Sequence, residues 1–592
     1  MEIWSNIYRH SQIYWPNWIF KTVFILSSKV TKFMLSTYKV LPMHTSVIDG
    51  IPIPIVVSVS PLDASATVFP YGKCKIPRCS RCRSYLSSVC ACSPEAWCCS
   101  VCSQIMKLTE PVPQEQLQNN VIEVVQSAEA QPLHHALFVF SSYKEAIRDY
   151  LKLLPPMAPL TIATYTDSLN LIPTGCVSQI LSEFDSIPFP TASIPFETAV
   201  NSIMELLPTL MAPCWVRIFM ETPNSEVTKT PLIDAFKKQY TREIRIDLYL
   251  IGTSFSPVLA DVIQACPGLS KVFNPHINIG ELPSFLKDDI DREFAFQLLA
   301  VFRSGVAYTT NYISSPFLAS EVCDGYVRIP VLPSHTASLS FEVLPPETDD
   351  RLRFQAMQCV VKFTRWNPKT NRLSQLFRII SHEFKISNNL MTVLSSTSPS
   401  MLFYAWVKEA QRMPPAQMAT HVEDRLRSLA PVLVANKHLR PVIKMTFLVK
   451  SHPALSAMFW DRLTMGSLLS LSSPSAVDAQ FSYSVEIWKD VNTHLETVFS
   501  VEEKKRKGDF IFLVKSFPSL FVLTNEGNID IPENSKMNES IQAFTNLCKP
   551  LTVRVVQTEL SRVRELLSVD EEDDLPKFLS EVGLESMYED IV

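Results

Sequence analysis

Short apolar runs alternate with amphipathic segments between residues 136 and 266. The apolar runs are ALFVFSS (136–142), LTIATYT (160–166), CWVRIFME (214–221) and IRIDLYLIG (244–252). The segments after them carry apolar residues at helical spacing, as in YKEAIRDYLKLL, ETAVNSIMELL, PLIDAFKKQYT and SPVLADVIQAC. Apolar runs rich in β-branched and aromatic residues predict buried strands, and their alternation with helices is typical of a parallel, doubly wound α/β sheet.

The period changes beyond Pro283. Leu339, Phe341 and Val343 alternate with polar neighbours, and CVVKFTRW faces LFRIISHEFKI across the polar connection NPKTNR. This pattern predicts an antiparallel hairpin in a sheet that is polar on one side. An earlier run, SVIDGIPIPIVVSVSPL (46–62), is punctuated by prolines and predicts an edge strand or two.

From Asn388 to about Asp490 the pattern is helical. One helix face is expected to hold Val422, Leu426 and Leu429, and another to hold Leu455, Met458, Phe459 and Leu463. Prolines at 414, 431, 441 and 453 predict breaks that divide the stretch into short helices. The last hundred residues return to mixed structure, with strands FIFLV, SLFVL and TVRVV and helices MNESIQAFTNLC and ELSRVRELL.

Length and composition set limits on the class of protein. At roughly 150 residues per domain, 592 residues correspond to about four domains. Only 12 residues are glycine, and the sequence contains no G-x-G-x-x-G, P-loop or G-x-S-x-G motif; His382-Glu383 lacks the second histidine of a zinc-protease box. We therefore expect no enzyme, although a catalytic site built from scattered residues stays an open alternative. The net charge of -5 argues against a surface that coats nucleic acid.

Cysteine usage is the strongest single signal. Eight of the 14 cysteines fall between Cys74 and Cys102, and the other six are isolated in apolar surroundings. Isolated thiols with one dense cluster indicate a reducing compartment and one metal site, not a disulfide framework.

Two C-x-x-C knuckles lie within this cluster, Cys79 with Cys82 and Cys99 with Cys102, separated by sixteen residues. Two such knuckles complete a tetrahedral four-sulfur site, and four protein ligands leave no open position. The spacing predicts one structural Zn²⁺ in a zinc ribbon, with a redox role as the alternative. The surplus thiols are Cys74, Cys90, Cys92 and Cys98. Cys98 and Cys99 are adjacent, and only Cys99 is separated from Cys102 by two residues.

Basic residues surround the first knuckle, namely Lys73, Lys75, Arg78, Arg81 and Arg83. One explanation is local compensation of the negative charge that four thiolates around a dication leave. The other is that Arg78 and Arg83, which flank the knuckle symmetrically, face outward and bind an acidic peptide.

The string IPRCSRCRSYL followed by EAWCCSVC resembles the zinc ribbon of the COPII inner-coat subunits, specifically the cargo-binding Sec-twenty-four type. Trp97, Cys99 and Cys102 supply the closing part of that motif. Softer matches are FRSGVAYT (302–309) and LRPVIKMTFLVKSHPAL, and the resemblance spans roughly residues 44–592. The family pattern of a ribbon arginine on each side of the first knuckle matches Arg78 and Arg83, which implies that they contribute to a pocket for acidic sorting signals.

The resemblance implies a multidomain α+β fold with an all-helical domain. The implied order is a first part of a split antiparallel β-sandwich (43–73), a zinc ribbon (74–106), a von Willebrand-A-like α/β trunk (107–290), the rest of the sandwich (291–386), a helical domain (387–489) and a gelsolin-like domain (490–592). Residues 1–42 are expected to be a dispensable extension or, alternatively, an interfacial amphipathic anchor, because charges interrupt their apolar stretches too often for a bilayer span.

The resemblance also implies a function, that of a cargo-selecting adaptor in endoplasmic reticulum to Golgi transport. Such a subunit pairs with a Sec-twenty-three-type partner and the Sar-one GTPase, and it lies peripherally on the cytoplasmic side of the endoplasmic reticulum membrane. Two features depart from the family pattern. The aromatic segment 1–42 stands in place of a long proline-rich tail, and Phe140-Ser141-Ser142 lacks the aspartate that opens a metal-ion adhesion motif.

The sequence leaves two alternative functions open. The first is the sister coat subunit, a GTPase activator with a catalytic arginine, but residues 490–592 contain nothing similar to its P-R-Y/F-I-D-T loop. The second is a zinc-ribbon factor that binds nucleic acid through the same arginines, which the acidic net charge disfavours.

Overall fold

The protein is represented by a computed structural model. The structure describes residues 33–62, 67–69, 76–127, 132–191, 194–222, 231–252, 262–263, 265–273, 280, 282–290, 294–305, 308–313, 321–323, 326–332, 337–347, 354–410, 415–451, 473–480, 483–498, 510–516, 519–524, 529–548, 554–559 and 571–587.

The strands follow the chain in this order: β1 Met34–Ser36, β2 Val40–Pro42, β3 Val56–Val59, β4 Thr67–Phe69, β5 Ala91–Cys92, β6 Ala96–Cys98, β7 Ile105–Lys107, β8 Val121–Ser127, β9 His134–Val139, β10 Pro159–Tyr165, β11 Leu169–Cys176, β12 Cys214–Glu221, β13 Ile244–Ile251, β14 Ser270–Phe273, β15 Ala295–Arg303, β16 Thr309–Ile313, β17 Glu321–Cys323, β18 Tyr326–Leu332, β19 Leu339–Leu344, β20 Phe354–Asn367, β21 Arg372–Ser387, β22 Tyr483–Asp490, β23 Thr493–Val498, β24 Ile511–Ser516, β25 Ser519–Thr524 and β26 Arg554–Glu559.

The α-helices are α1 Gln114–Gln118, α2 Lys144–Leu151, α3 Val177–Ser182, α4 Phe196–Leu206, α5 Pro231–Lys238, α6 Leu282–Ile290, α7 Leu390–Ser395, α8 Pro399–Ala410, α9 Pro415–Ala435, α10 Pro441–Ser451, α11 Pro474–Gln480, α12 Lys536–Cys548 and α13 Glu571–Glu581. Within the part of the chain that the structure describes, none of them is both long and apolar enough to cross a membrane.

The predicted α/β region is a six-stranded sheet in the order β11-β10-β9-β12-β13-β14. The four predicted strands are present and parallel, with β9 between β10 and β12 and with β13 beyond β12. Apolar clusters cover both faces of the sheet, as a doubly wound architecture requires. The sequence pattern missed the edge strand β11, which runs antiparallel to β10 and contains Pro173 and Gly175. The last predicted helix, at 256–266, lies largely outside the described residues.

Two sheets contribute to the largest apolar cluster of the described residues, which continues into the helices after Ser387 and into the C-terminal region. One is four-stranded, in the order β1-β3-β19-β16, and the other has the order β17-β18-β15-β20-β21-β8-β4 with β2 beside β21. The predicted hairpin is confirmed as β20 and β21, which pair over their whole length. Leu339, Phe341 and Val343 all point into the core, which confirms their alternation.

Three elements of these sheets differ from the sequence-based expectations. Strands β1 and β2 precede residue 43, so the sheets begin inside the segment expected to be an extension. Strand β8 lies in the range expected for the trunk, yet it pairs with β21. The run at 46–62 was expected to supply an edge strand, but β3 has neighbours on both sides, because the strand that completes its sheet comes from β19 far along the chain.

The stretch after Ser387 is helical in the described residues as far as Gln480, with two corrections. Residues 483–490, which were expected to be helical, form strand β22. Val422, Leu426 and Leu429 are fully buried on one face of α9. The break predicted at Pro431 is wrong, because α9 continues through it to Ala435. A proline inside a helix costs about 3 kcal/mol, and burial of Leu429 and Leu433 on either side of it offsets that loss. The face predicted around Leu455 lies outside the described residues.

The C-terminal region contains a five-stranded sheet in the order β23-β22-β24-β25-β26. Its strands β24 and β25 and its helix α12 lie where the sequence predicts them. The helix predicted at ELSRVRELL lies outside the described residues.

Candidate metal centre and binding face

The first knuckle is a tight turn between Cys79 and Ser84. The amide of Cys79 donates a hydrogen bond to the carbonyl of Ser84 at 2.7 Å, and the amide of Arg83 donates to the carbonyl of Cys79 at 3.1 Å. Arg83, directly after the second cysteine, has a φ of 64°. This left-handed residue reverses the chain so that both thiols of the knuckle point to one side.

The second knuckle repeats the geometry. The amide of Cys99 donates to the carbonyl of Gln104 at 2.9 Å, and the amide of Ser103 donates to the carbonyl of Cys99 at 2.8 Å. Ser103 takes the position of the left-handed residue, with a φ of 58°. Two separate stretches of the chain therefore form the same turn, although neither has a glycine at the left-handed position.

The two turns bring the four predicted thiols together. All four sulfur atoms lie within 4.8 Å of one another. Cys79 Sγ lies 3.5 Å from Cys102 Sγ, and Cys82 Sγ lies 3.5 Å from Cys99 Sγ. The ribbon strands β5, β6 and β7 place Trp97 against this cluster, where its indole is buried.

The electrostatics of the four thiols are uneven. Burial alone would raise the pKa of Cys82, but hydrogen bonds from Ser84 and the neighbouring thiols outweigh it and lower the pKa to about 7. The Ser84 hydroxyl lies 3.0 Å from the sulfurs of both Cys82 and Cys99. Burial raises the pKa of Cys99, and it raises the pKa of Cys102 to about 11.

The donor set fits Zn²⁺. Four convergent thiols on two paired turns match the tetrahedral all-sulfur coordination that this ion prefers, and they leave no position for a substrate. Among the described residues, these four form the only group of three or more potential ligands that could hold a metal ion.

The surplus cysteines are not part of the group. Cys98 lies on β6 and its side chain is half-buried, while Cys90 precedes β5 and Cys92 is the last residue of β5. Cys74 lies outside the described residues. Cys99, which keeps the two-residue gap to Cys102, belongs to the group of four thiols.

The ribbon is fixed to the eight-stranded sheet through Gln358 on β20. Its Nε2 donates to the carbonyl of Tyr85 at 2.9 Å and its Oε1 accepts from the amide of Tyr85 at 2.7 Å. The Tyr85 ring packs edge-on against Phe377 on β21, with centroids 4.7 Å apart. From β15, Arg303 Nε donates to the carbonyl of Cys82 at 3.0 Å. The knuckle is thus held in a fixed position relative to the sheet.

Arg78 and Arg83 are both exposed on the first knuckle. Arg78 Nε donates to the carbonyl of Arg83 at 2.8 Å, and its guanidinium lies over the Tyr85 ring, 5.1 Å from the centroid. The two arginines are therefore neighbours on one surface. Since Arg78 stacks on a ring that the sheet fixes, its cationic group is held in place and available to an anion.

A groove of about 400 Å³ opens on the same sheet. Its lining combines the largely apolar side chains of Leu299, Tyr326 and Phe363 with two cations, Arg328 and Lys362, and with polar groups that include the amides of Gln297 and Gln375 and the carboxylate of Glu243. Arg328 Nη2 donates to Gln297 Oε1 at 2.9 Å, while the Lys362 side chain is exposed. Such a lining suits a ligand that carries a carboxylate.

Gln297 shapes this groove through a β-bulge in β15. Its φ is 48°, and the pairing of β15 with β20 shifts register between Phe296 and Leu299. A bulge re-aims the side chain of the extra residue. Here Gln297 Nε2 reaches the carbonyls of Tyr240 and Arg242, at 3.0 and 2.8 Å, which joins the groove to the α/β region.

The groove and the ribbon share one face of the sheet. Gln358, which holds the ribbon, and Lys362, in the groove, are four residues apart on β20, so their side chains point the same way. At about 3.3 Å per residue the two positions are about 13 Å apart. Sequence reasoning missed the groove, because Gln297, Arg328 and Lys362 come from three strands and no local spacing connects them.

Comparison with known proteins finds solved structures with a similar fold but finds no protein with a similar sequence. No protein-family model matches the chain, and no curated protein matches its sequence. The crystal structure of the human COPII-coat protein Sec24c is similar, with a TM-score of 0.73 and 13% identity over 93% of each chain. The ArnB paralog VWA2 from Sulfolobus acidocaldarius covers 60% of this chain and 93% of its own, with 12% identity and a TM-score of 0.33. The von Willebrand factor type A structure from Catenulispora acidiphila also covers 60%, and 92% of its own chain, with 12% identity and a TM-score of 0.35.

The chain therefore has a mixed α/β multidomain fold like that of Sec24c. Its four-cysteine group lies in a small three-stranded sheet and is consistent with a zinc ribbon.

Proposed function

We propose that this protein is the cargo-selecting subunit of a COPII-type vesicle coat and that it acts by binding, without bond chemistry. The observation that carries the proposal is the face described above, with two exposed arginines on a cysteine-held knuckle and, beside it, a groove whose lining includes Arg328 and Lys362. A shared fold does not by itself fix a function. The likeness to a COPII-coat protein supports a role in a vesicle coat, and the arginines of this face support the binding of acidic ligands.

In this proposal Zn²⁺ is structural. Cys79, Cys82, Cys99 and Cys102 hold it, and its role is to fix the knuckle that presents Arg78 and Arg83. Because the ribbon has a small buried cluster, the ion contributes much of its folding free energy.

The ligands are acidic sorting signals in the cytosolic tails of membrane proteins. One acidic side chain binds the knuckle arginines, and a second enters the groove beside Arg328 and Lys362. Four extended residues span about 13 Å, which is the separation of the two positions on β20. Each contact is weak alone, and many copies on one coat combine by avidity.

The likeness to a COPII-coat protein supports the proposed partners. A Sec-twenty-three-type subunit forms a heterodimer with this chain, the Sar-one GTPase recruits the pair, and the assembly lies peripherally on the cytoplasmic face of the endoplasmic reticulum membrane. Co-purification tests this part of the proposal. We expect the Sec-twenty-three-type subunit to be recovered with the chain, and the chain alone to leave the rate of GTP hydrolysis by the GTPase unchanged.

The decisive experiment reverses the knuckle charges. In the double variant Arg78→Glu with Arg83→Glu, we expect the affinity for a fluorescent peptide with two acidic residues four positions apart to fall at least tenfold. Charged hydrogen bonds contribute roughly 1.5–3 kcal/mol each, and the new carboxylates repel the ligand. Fluorescence anisotropy gives the Kd, and zinc content with the thermal unfolding curve shows that the ribbon is intact.

The matched control is Lys369→Glu with Arg372→Glu. These residues are also exposed, at the far end of the β20–β21 hairpin, and their reversal changes the net charge by the same amount. If both double variants lose the same affinity, the loss is caused by the change in net charge and not by the position of Arg78 and Arg83. Unchanged affinity in the knuckle variant would refute the assignment of Arg78 and Arg83.

A further inference from the structure

A third arginine, Arg303, lies at the junction of the first knuckle and the eight-stranded sheet. It is on β15, directly opposite Gln358 of β20, whose side chain holds Tyr85 of the ribbon. Arg303 Nε donates to the carbonyl of Cys82 at 3.0 Å. The side chain of Arg303 is half-buried, its Nη1 has no hydrogen-bond partner, and it forms no ion pair with a described residue. Its positive charge is therefore not offset by a carboxylate of the described residues.

The guanidinium of Arg303 lies beside that of Arg78. Arg78 Nε donates to the carbonyl of Arg83 at 2.8 Å, so the two side chains bind the carbonyls of consecutive residues, 82 and 83. Consecutive residues are about 3.8 Å apart along the chain, which makes the two guanidinium groups neighbours. Burial and the charge of Arg78 both lower the pKa of Arg303, as expected for two cations that lie close together. Arg83 is exposed on the same turn, so three cationic side chains from two distant parts of the chain meet at the first knuckle.

The metal group does not balance these cations. Four thiolates around one Zn²⁺ carry a charge of about -2. The three arginines carry three positive charges, and Arg81 on the same knuckle adds another. None of Arg78, Arg83 and Arg303 forms an ion pair with a carboxylate in the part of the chain that the structure describes. The first knuckle therefore has an excess of positive charge that a ligand can offset.

A phosphate monoester matches this excess better than a carboxylate does. It carries a charge of about -1.5 to -2 at pH 7 and three acceptor oxygens, whereas a carboxylate carries a single charge and two oxygens. Guanidinium groups bind phosphate oxygens through paired N–H donors, and proteins recognise phosphorylated peptides with clusters of arginines. One phosphate group can therefore contact all three arginines of the first knuckle.

We propose that the preferred ligands of this face are phosphorylated acidic signals. The phosphate of a phosphoserine or phosphothreonine binds the three arginines, and an acidic side chain four residues away enters the groove beside Arg328 and Lys362. The inference rests on the proposed binding of acidic tails and names the class of tail that binds most tightly. A peptide is favoured over a phosphorylated lipid headgroup, because the groove lies on the same sheet face at about the span of four extended residues from the ribbon.

Three peptides that differ at one position test this preference. They carry phosphoserine, aspartate or serine at that position and a glutamate four residues before or after it. Fluorescence anisotropy with the full-length, zinc-loaded protein gives the Kd of each peptide. We expect the phosphoserine peptide to bind at least tenfold more tightly than the aspartate peptide, and the serine peptide to bind most weakly. Equal affinity for phosphoserine and aspartate would refute the inference and leave the proposed function intact, whereas a failure of both peptides to bind would refute both.

Arg303→Gln separates a contact with the phosphate from a structural role. Glutamine can still donate to the carbonyl of Cys82 but carries no charge. We expect the ratio of the phosphoserine affinity to the aspartate affinity to fall at least threefold in this variant, and Arg303→Lys to retain most of the ratio. If Arg303 only holds the knuckle in place, its replacement weakens both peptides together and leaves the ratio unchanged, and the inference is wrong. Zinc content is measured for each variant.

Arg328→Gln is the matched control, because it removes the same group from the groove. It should weaken the phosphoserine and aspartate peptides by the same factor, so that the ratio of their affinities stays unchanged. Vesicles that contain phosphatidylinositol 4-phosphate test the competing ligand. If they displace the labelled phosphoserine peptide more effectively than unlabelled phosphoserine peptide does at the same phosphate concentration, the arginines form a lipid site and the inference is wrong.

Discussion

The ribbon and the α/β region are stabilised in opposite ways. The buried cluster of the ribbon is small and consists of Cys79, Leu86, Cys90, Trp97, Cys99, Val101 and Cys102. Three of these seven residues, Cys79, Cys99 and Cys102, belong to the group of four thiols. The α/β sheet has apolar clusters on both faces, each several times larger. Since hydrophobic stabilisation scales with buried apolar area, the ribbon has little of it and depends on its thiols.

The two regions also place their charges differently. The ribbon exposes Arg78 and Arg83, while the α/β region buries Arg217, Arg245 and Asp247 completely. An exposed cation on a rigid support is available to a partner molecule, but a buried ion must find its counter-charge inside the fold. The charges of the ribbon are therefore exposed, and those of the α/β region are paired inside the fold.

The largest expected effect is the loss of the ribbon on removal of one thiol. In Cys99→Ser we expect the zinc content to fall to zero and the amides between residues 76 and 108 to lose protection. The apparent binding free energy of a structural zinc, about 10–16 kcal/mol, exceeds what so small a core supplies. Elemental analysis and hydrogen exchange with mass spectrometry measure the two outcomes, and the α/β region should keep its protection.

Cys176→Ser is the control, because this thiol lies at the edge of the α/β sheet outside the metal group. It should retain one zinc per chain. If the Cys99→Ser protein keeps both its zinc and its protected ribbon amides, the ribbon does not depend on its thiols and the difference between the two regions is refuted.

A smaller effect is expected inside the α/β region. Asp247→Ala should lower the free energy of unfolding by about 3–5 kcal/mol, because Arg245 and Trp215 Nε1 lose a buried partner. Urea unfolding followed by hydrogen exchange of β12 and β13 gives this value. The zinc content should stay unchanged.

Asp149→Ala is the matched control, since it removes a carboxylate from an exposed pair with Lys152 at 2.7 Å. Exposed pairs contribute less than about 1 kcal/mol. If both variants lose the same small amount, the buried charges are not what distinguishes the α/β region.

The ribbon was predictable because its information is local. Two C-x-x-C spacings determine which thiols meet, and each knuckle forms its turn from six consecutive residues. The sequence did not predict how Gln358 and Arg303 attach the ribbon to the sheet, because these residues are more than 200 positions away from it.

The α/β strands were predictable, but the function of their polar residues was not. In IRIDLYLIG, Arg245 and Asp247 alternate with apolar residues, although the sequence predicts a strand buried in a doubly wound sheet. The structure covers the face that carries them with α2 and α6, and Asp289 of α6 pairs with Arg245. The sequence did not predict this pair, because α6 comes from a distant part of the chain.

The smallest expected effect is a loss of stability of the α/β region at acidic pH. Burial, reinforced by Arg217, lowers the pKa of His135 to about 3, from 6.5 in the unfolded chain. Below pH 6.5 the unfolded chain therefore takes up a proton that the folded chain does not, and stability falls as the pH falls. The loss is at most about 1.4 kcal/mol per pH unit until pH 3 is approached.

His135→Gln isolates this contribution, because glutamine can still donate to Asn371 but does not titrate. Between pH 6.5 and 5.5 the unmodified protein should lose up to about 1.4 kcal/mol more than the variant, measured by urea unfolding of the α/β strands. Zinc content measured in parallel keeps loss of the ribbon separate from loss of the sheet, since acid also protonates thiolates. Equal pH dependence in both proteins would mean that the buried imidazole does not couple the α/β region to acid, and that the proton-sensitive groups lie elsewhere.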